Sequence, residues 1–182
     1  MDRLTALVLL LLLCAQPAYA DAWQTHISEA SERFNIPESW IKAVIKVESN
    51  GEVNAVSHKG AMGLMQLMPR TWEELRSAHN LGADPFSPRT NILAGTAYLK
   101  AMYDDVGYPA LFAAYNAGPA RYKTHLRTGK PLPKETQTYV ARLSKHLSFE
   151  WQQKKSAPLF FVLSDRASQV FETRLFVPLS QR

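Results

Sequence analysis

The spacing of apolar residues along the chain predicts a mostly helical protein. In four stretches they recur three and four residues apart, the interval that places side chains on one face of an α-helix. A capping box that starts at Thr71 opens a further short helix, and Asn91 is placed to cap a longer one. The glycine-rich stretch 58–69 is predicted to be a compact loop with about one helical turn. The predicted helices cover residues 26–34, 37–48, 71–78, 92–103, 110–116 and 133–154.

One carboxylate interrupts the apolar face of the second predicted helix. Counting from Ile41, the positions three, four and seven residues on are Val44, Ile45 and Glu48. A carboxyl group on a buried face loses hydration, so its pKa should rise toward the working pH, as a general acid requires. The alternative interpretation is a helix-end glutamate that reaches solvent where Gly51 stops the helix.

The character of the sequence changes after Pro158. Residues 159–163 and 169–177 are rich in aromatic and β-branched residues, which is typical of strands. The pattern fits a terminal hairpin, and it equally fits a flexible extension that orders only against a partner. The sequence therefore predicts a single domain at 21–155 followed by an extension at 156–182.

The first twenty residues have the features of an export signal. Arg3 precedes an apolar run over 4–15 that is too short to span a bilayer comfortably, and small residues at 18–20 match the positions that signal peptidase reads. Cleavage is predicted after Ala20, which gives an exported, periplasmic protein. A lipid anchor at Cys14 is the less favoured alternative because Leu13 precedes it.

Composition limits the function classes. The chain has 182 residues, of which 46% are hydrophobic and 20% charged, as expected for one globular domain. Its only cysteine lies in the predicted leader, so disulfides are excluded from the mature protein. The net charge of +5 suits an anionic polymer of the cell envelope, although a merely soluble basic protein has the same charge. Walker, dinucleotide and Cys/His metal motifs are absent from the sequence, and neither nucleic acid nor a stable membrane span is an expected feature.

Five sequence blocks, taken in order, resemble the lytic transglycosylases of the soluble-transglycosylase (SLT) type. The resemblance covers about residues 25–150, and five ordered blocks are far more specific than any one of them. It implies a mostly α, lysozyme-like fold that acts on the glycan strands of peptidoglycan without metal or organic cofactor. The blocks are Glu48-Ser49, Ala55-Val-Ser57, Gly60-Ala-Met-Gly-Leu-Met-Gln-Leu-Met-Pro69, Ala114-Tyr-Asn-Ala-Gly118 and Glu135-Thr-Gln-Thr-Tyr-Val140.

The resemblance also implies roles for individual residues. The catalytic acid of the family falls on Glu48, and each cleft position carries chemistry that suits a sugar: hydroxyls and amides form hydrogen bonds, and a thioether lies against an apolar ring face. Taken singly, the methionines and tyrosines are as well explained as core residues. The implied substrate-binding residues are Ser57, Gln66, Met68, Tyr115, Asn116, Glu135 and Tyr139.

The sequence offers no matched second carboxylate for a conventional glycosidase pair. Glu52 should fall beyond the helix that ends near Gly51. The default explanation of Glu135 is a negative charge that stabilises the positive end of the helix dipole at the start of the last helix. Enzymes without the pair let the substrate supply the nucleophile. The family therefore implies that Glu48 protonates the bond between N-acetylmuramic acid and N-acetylglucosamine and that the C6 hydroxyl then closes on C1 to give a 1,6-anhydro end.

Two other functions remain open at this point. One is hydrolysis in the same cleft, with water in place of the C6 hydroxyl. The other is a non-catalytic peptidoglycan-binding scaffold of a secretion apparatus, because small exported proteins of this type resemble those that open the wall for secretion, conjugation or pilus machines. Proteins of such a machine are therefore expected partners beside the glycan strands, with residues 156–182 as the docking piece.

Overall fold

The computed structural model describes residues 23–156, with side chains to residue 148. The fold is helical, and the β-contacts within this range are two isolated bridges, Val56 to Met62 and Met62 to Leu67. The mostly α prediction is confirmed. The helices are α1 (Gln24–Phe34), α2 (Glu38–Glu48), α3 (Pro69–Ala78), α4 (Pro88–Val106), α5 (Ala110–Ala117), α6 (Pro119–Thr128) and α7 (Lys134–Ser156).

The core is built around α4. Ile92, Leu93 and Leu99 of this helix are fully buried, and α1, α3 and α5 all pack against it. The side chains around α4 are almost wholly aliphatic and aromatic, so their burial is the main source of stability. This rigid centre fixes the positions of the segments that carry polar groups.

Helices α2 and α7 pack against each other. This packing brings Glu48 of α2 close to the predicted site residues Glu135 and Tyr139 of α7. Five residues of α2 are apolar and buried, and Glu48 is the last residue of that helix. Gly51 follows with a φ of 86°, a left-handed conformation that glycine adopts without steric cost. The helix therefore ends at Glu48, the residue that meets α7.

The side chain of Asn91 holds the glycine-rich loop between α2 and α3 in place through hydrogen bonds to the loop backbone. The buried amide oxygen of Asn91 accepts a hydrogen bond from the backbone N–H of Met65 at 2.8 Å. Its nitrogen donates to the carbonyl oxygens of Met62 at 3.1 Å and Pro85 at 2.8 Å. A Cβ at Gly63 would lie 2.4 Å from that nitrogen, so the close approach requires glycine.

Three predictions about element boundaries are corrected by the structure. Asn91 does not cap α4, because the helix already begins at Pro88 and the Asn91 side chain is engaged by the loop. Thr71 does not open α3, which begins at Pro69; proline has the fixed φ that suits a first helical turn. Helix α6 was not predicted at all.

The remaining predictions about helices agree closely with the observed bounds. Helix α1 begins two residues before the predicted start, and α5 extends one residue beyond the predicted end. The predicted leader 1–20 and residues 157–182 of the predicted extension lie outside the described residues. Within the described part, no helix combines the length and apolar character needed to cross a bilayer.

Candidate active site

A cleft of about 560 Å³ opens between the loop 57–68, the junction of α5 with α6 and the start of α7. This volume lies within the range of ligand pockets. Seven of the eight predicted site residues line it, and Tyr139 does not. The seven are Glu48, Ser57, Gln66, Met68, Tyr115, Asn116 and Glu135.

Glu48 contributes a carboxyl group that is largely enclosed by protein and accessible through the cleft. Burial raises the pKa of Glu48 from 4.5 to about 7, because desolvation disfavours the charged form. The Tyr139 hydroxyl and the charge of Arg142 act in the opposite direction, and the charge of Glu135 adds to the increase. At neutral pH this carboxyl group is poised between holding and releasing a proton.

Tyr139 lies behind Glu48 rather than in the cleft. Its side chain is 6% exposed, and its hydroxyl is close enough to Glu48 to lower the pKa of that carboxyl. The two groups do not form a fully aligned hydrogen bond, and the buried hydroxyl has no other partner among the described residues. Tyr139 therefore has the position of a residue that orients the acid.

Ser49 connects the end of α2 to the loop below the cleft. Its hydroxyl lies 2.8 Å from the carbonyl oxygen of Leu64 and 3.2 Å from that of Ile45, and it accepts a hydrogen bond from the N–H of Gly51. These contacts join the helix, its terminating turn and the loop. They fix the backbone immediately next to Glu48.

Gln66 projects into the cleft from a left-handed backbone conformation, with a φ of 49°. Its side-chain nitrogen donates hydrogen bonds to the carbonyl oxygens of Ala55 at 3.1 Å and Gly63 at 2.9 Å. Both amide hydrogens are thus used within the loop, which leaves the side-chain oxygen to accept a hydrogen bond from a ligand.

Ser57 forms the opposite edge of the same loop. Its hydroxyl oxygen accepts hydrogen bonds from the N–H groups of Lys59 at 3.3 Å and Ala61 at 3.0 Å. Because both contacts use lone pairs, the hydroxyl proton is available for donation into the cleft.

Tyr115 and Asn116 are adjacent on α5 but differ in their environment. The hydroxyl of the buried Tyr115 donates to the carbonyl oxygen of Met65 at 2.8 Å, and burial raises the pKa of Tyr115 well above its ordinary value. Tyr115 thus holds the loop while its ring forms part of the cleft wall. Asn116 is half-buried and presents an amide to the cleft.

Met68 is the apolar contact of the cleft. It is 44% exposed, whereas Met65 is fully buried and Met62 partly buried against the core. An exposed thioether at the cleft wall suits the apolar face of a sugar ring.

Glu135 lies at the rim of the cleft in the first turn of α7. Its carboxylate accepts a hydrogen bond from the ammonium of Lys59 at 2.8 Å, and both side chains are largely exposed. This bond holds the pKa of Glu135 below its usual value. The second carboxylate of the cleft is therefore ionised and paired, unlike Glu48.

Sequence reasoning missed the cationic residues of the site. Lys59 and Arg121 both line the cleft, and the charge of Arg142 acts on Glu48. Lys59 lies between two of the recognised blocks, and its partner is 76 residues away, so no local signal indicates the pair. Arg121 is on α6, the helix that was not predicted. Among the described residues, no cluster of His, Cys, Asp and Glu side chains is arranged to hold a metal ion.

Residues 25–137 match the family model described as the transglycosylase SLT domain. The chain is 36% identical over 116 residues to the soluble lytic murein transglycosylase of Escherichia coli, which covers 60% of this chain and 17% of that protein. It is also 37% identical over 98 residues to the transglycosylase of Enterobacteria phage PRD1, with 53% of this chain and 34% of the relative covered. The chain thus spans a minor part of the length of these relatives.

Solved structures show the same fold. The 70-kDa soluble lytic transglycosylase in complex with bulgecin A superposes with a TM-score of 0.67 at 27% identity, covering 75% of this chain and 25% of that one. An inactive mutant of the lytic transglycosylase Slt from Pseudomonas aeruginosa gives a TM-score of 0.66 at 29% identity, with 74% and 24% covered.

Proposed function

The chain belongs to the transglycosylase SLT family, and we propose that it is a lytic transglycosylase that cuts the glycan strands of peptidoglycan at the bond between N-acetylmuramic acid and N-acetylglucosamine. The observation that carries the proposal is the enclosed carboxyl group of Glu48, with a pKa of about 7, in a cleft lined by hydrogen-bonding side chains.

The first chemical step is proton donation by Glu48. A carboxyl group with this pKa is protonated in a large fraction of molecules at neutral pH, and so can protonate the leaving glycosidic oxygen as the C–O bond breaks. The positive charge that develops at C1 is stabilised by the neighbouring N-acetyl carbonyl of the sugar. In this proposal Ser57 donates a hydrogen bond to that sugar and Gln66 accepts one from it; the free Ser57 proton and the free Gln66 oxygen support these roles.

The second step returns the proton to Glu48. The ionised carboxylate takes the proton from the C6 hydroxyl of the same sugar, and that oxygen bonds to C1. Glu48 is thereby restored to its acid form and the product has a 1,6-anhydro end. Both reacting groups belong to one bound sugar, so the step is intramolecular and benefits from a high effective concentration.

The state of Glu135 supports this route over a two-carboxylate mechanism. Its pKa is lowered and its charge is paired with Lys59, and it lies at the exposed rim. We assign it to binding of the glycan, together with Met68, Tyr115 and Asn116, and assign Tyr139 to orienting Glu48.

Analysis of the products of purified peptidoglycan tests the proposal. Mass spectrometry distinguishes 1,6-anhydro ends from reducing ends because they differ by the mass of one water. The wild-type protein is expected to give anhydro ends and the Glu48→Gln variant almost none, with Glu52→Gln as the matched control for loss of a nearby surface charge. A majority of reducing ends would indicate a lysozyme-like hydrolase, and binding without cleavage by the wild type would indicate a scaffold.

We also propose that the protein is exported by residues 1–20 and works in the periplasm, where it opens the wall locally for a secretion or conjugation machine. The signal-like N-terminus and the basic charge support export toward an anionic wall. N-terminal sequencing of the secreted form should begin at Asp21. In the host bacterium, Glu48→Gln should reduce secretion or conjugation as strongly as deletion of the gene; full transport with this variant would exclude the role of cleavage.

A further inference from the structure

A second concave surface lies at the opposite end of α2 from Glu48. This groove has a volume of about 540 Å³, and every residue that lines it is uncharged. It shares no lining residue with the catalytic cleft. Its apolar walls are formed by Trp40, Tyr108, Phe112, Val140 and Leu147, and Ser144 lies between the last two.

Aromatic rings form one wall of the groove. Trp40 and Tyr108 are stacked with their ring centres 5.0 Å apart and their planes at 16°, and Phe112 meets Trp40 edge-on at 5.5 Å. Tyr108 is nevertheless 58% exposed. This exposed aromatic wall, in a concave surface without charged residues, is available to be covered by another apolar segment or molecule.

Helix α7 forms the facing wall and leads directly to a matching segment of the chain. Val140, Ser144, Leu147 and Ser148 of this helix line the groove, and the helix ends at Ser156. The sequence continues Ala-Pro-Leu-Phe-Phe-Val-Leu to residue 163. This stretch is as free of charge as the groove, and Pro158 favours a break from the helix.

The distances allow this segment to return along the helix. From Ser148 to Ser156 the helix advances about 12 Å at roughly 1.5 Å per residue. An extended chain covers about 3.3 Å per residue, so roughly four residues recover that distance. With one or two residues used in the reversal, positions 161–163 reach the level of Ser148 and Ser144.

We propose that the segment 159–163 of the same chain folds back along α7, with positions 161–163 docked in this groove against the stacked rings of Trp40 and Tyr108. The segment would bury its apolar side chains and cover the exposed face of Tyr108. The inference is independent of the catalytic proposal, because the groove and the cleft are separate.

Disulfide trapping tests the docking directly. The chain with Cys14→Ser has no other thiol, so a pair of introduced cysteines reports one contact. Ser144→Cys in the groove is combined in turn with Phe161→Cys, Val162→Cys and Leu163→Cys. Arg142→Cys, which is exposed and does not line the groove, replaces Ser144→Cys in the control series, because residues two apart on a helix face nearly opposite directions.

Docking predicts an intramolecular disulfide with Ser144→Cys that forms several-fold more completely than with Arg142→Cys. An extended docked segment also predicts that alternate positions of 161–163 react best, since a disulfide requires Cα atoms within about 7 Å. Equal trapping by both series overturns the proposal, because it is the result for an undocked tail. Disulfide-linked dimers at low protein concentration overturn it in favour of a second copy, and no trapping overturns it in favour of another occupant.

A second measurement guards against an effect of the cysteines on folding. Phe160→Asp combined with Phe161→Asp should increase the acrylamide quenching of Trp40 fluorescence, obtained by difference from Trp40→Phe variants. Ser180→Asp combined with Gln181→Asp adds the same charge outside the segment 159–163 and is the control. Unchanged quenching with the Phe160 and Phe161 substitutions contradicts docking.

Discussion

The hydroxyl of Tyr139 lies beside the carboxyl group of Glu48, enclosed on the side away from the cleft. The acid therefore has two distinct surroundings: a polar cleft where the glycan would bind, and a tyrosine that lowers its pKa from behind. Desolvation has the larger effect, so Glu48 remains a weak acid. Tyr139 is the larger of two influences, with the charge of Arg142, that limit how far the pKa of Glu48 rises.

Replacing Tyr139 with phenylalanine should raise the pKa of Glu48 further, because the hydroxyl stabilises the ionised form. The alkaline limb of the pH–rate profile should then move to higher pH. Since the hydroxyl lacks a fully aligned hydrogen bond, thermal stability should change little. An unmoved alkaline limb in the Tyr139→Phe variant, with rate alone reduced, would contradict the proposed effect on Glu48.

Glu48 should reduce the stability of the protein as the pH rises. Its pKa is about 7 in the folded state and 4.5 as the ordinary value, so the native state binds more protons between these limits and the free energy of unfolding falls across that window. Glu48→Gln removes this cost and should be more stable than wild type at pH 8 by on the order of 1–3 kcal/mol.

Urea unfolding of both proteins at pH 4 and pH 8 measures this difference. Below pH 4.5 the carboxyl is protonated in both states, so the two proteins should be nearly equal in stability. A constant difference at both pH values would show that the substitution acts through packing and not through ionisation.

Two asparagines should separate stability from activity. Asn91→Ala leaves one backbone donor and one carbonyl acceptor of the glycine-rich loop, and the carbonyl of Pro85 before α4, without their partner, which should reduce the free energy of unfolding by about 2–4 kcal/mol. Asn116→Ala, on the cleft wall, should reduce cleavage of peptidoglycan while leaving the melting temperature close to that of wild type. The reverse assignment of the two effects would refute the roles given to these residues.

The ion pair between Lys59 and Glu135 should contribute to binding more than to folding. Both side chains are largely exposed, and exposed pairs contribute about 0–1 kcal/mol. Glu135→Gln should therefore leave the melting temperature nearly unchanged and raise KM with a smaller effect on kcat. A loss of kcat as large as that of Glu48→Gln would instead make Glu135 a second catalytic group.

The helical period predicted the position of Glu48 correctly, because the core that selects Ile41, Val44 and Ile45 also encloses the next residue on that face. The same reasoning failed for Asn91. A capping position and a buried amide look alike in sequence, and only the loop that reaches it from 26 residues earlier distinguishes them.

Helix α6 shows the limit of periodicity. Tyr122 is the only buried residue of α6, so the sequence of this helix has no apolar stripe to detect. The helix is stabilised by its packing against α5. Its cationic residue Arg121 was missed with it. Tyr139 was predicted as a cleft residue from its sequence block. A block indicates which residues lie near the site but not which way each side chain points, and the structure places Tyr139 behind Glu48.

The source of the oxygen in the product tests the central claim most directly. Purified peptidoglycan is digested by the wild-type protein in water enriched in heavy oxygen, and the new ends are examined by mass spectrometry. If Glu48 directs closure by the C6 hydroxyl of the sugar, the new 1,6-anhydro ends contain no oxygen from water and Glu48→Gln forms few of them. Heavy oxygen at C1 of the new ends would show that water is the nucleophile and would contradict the account.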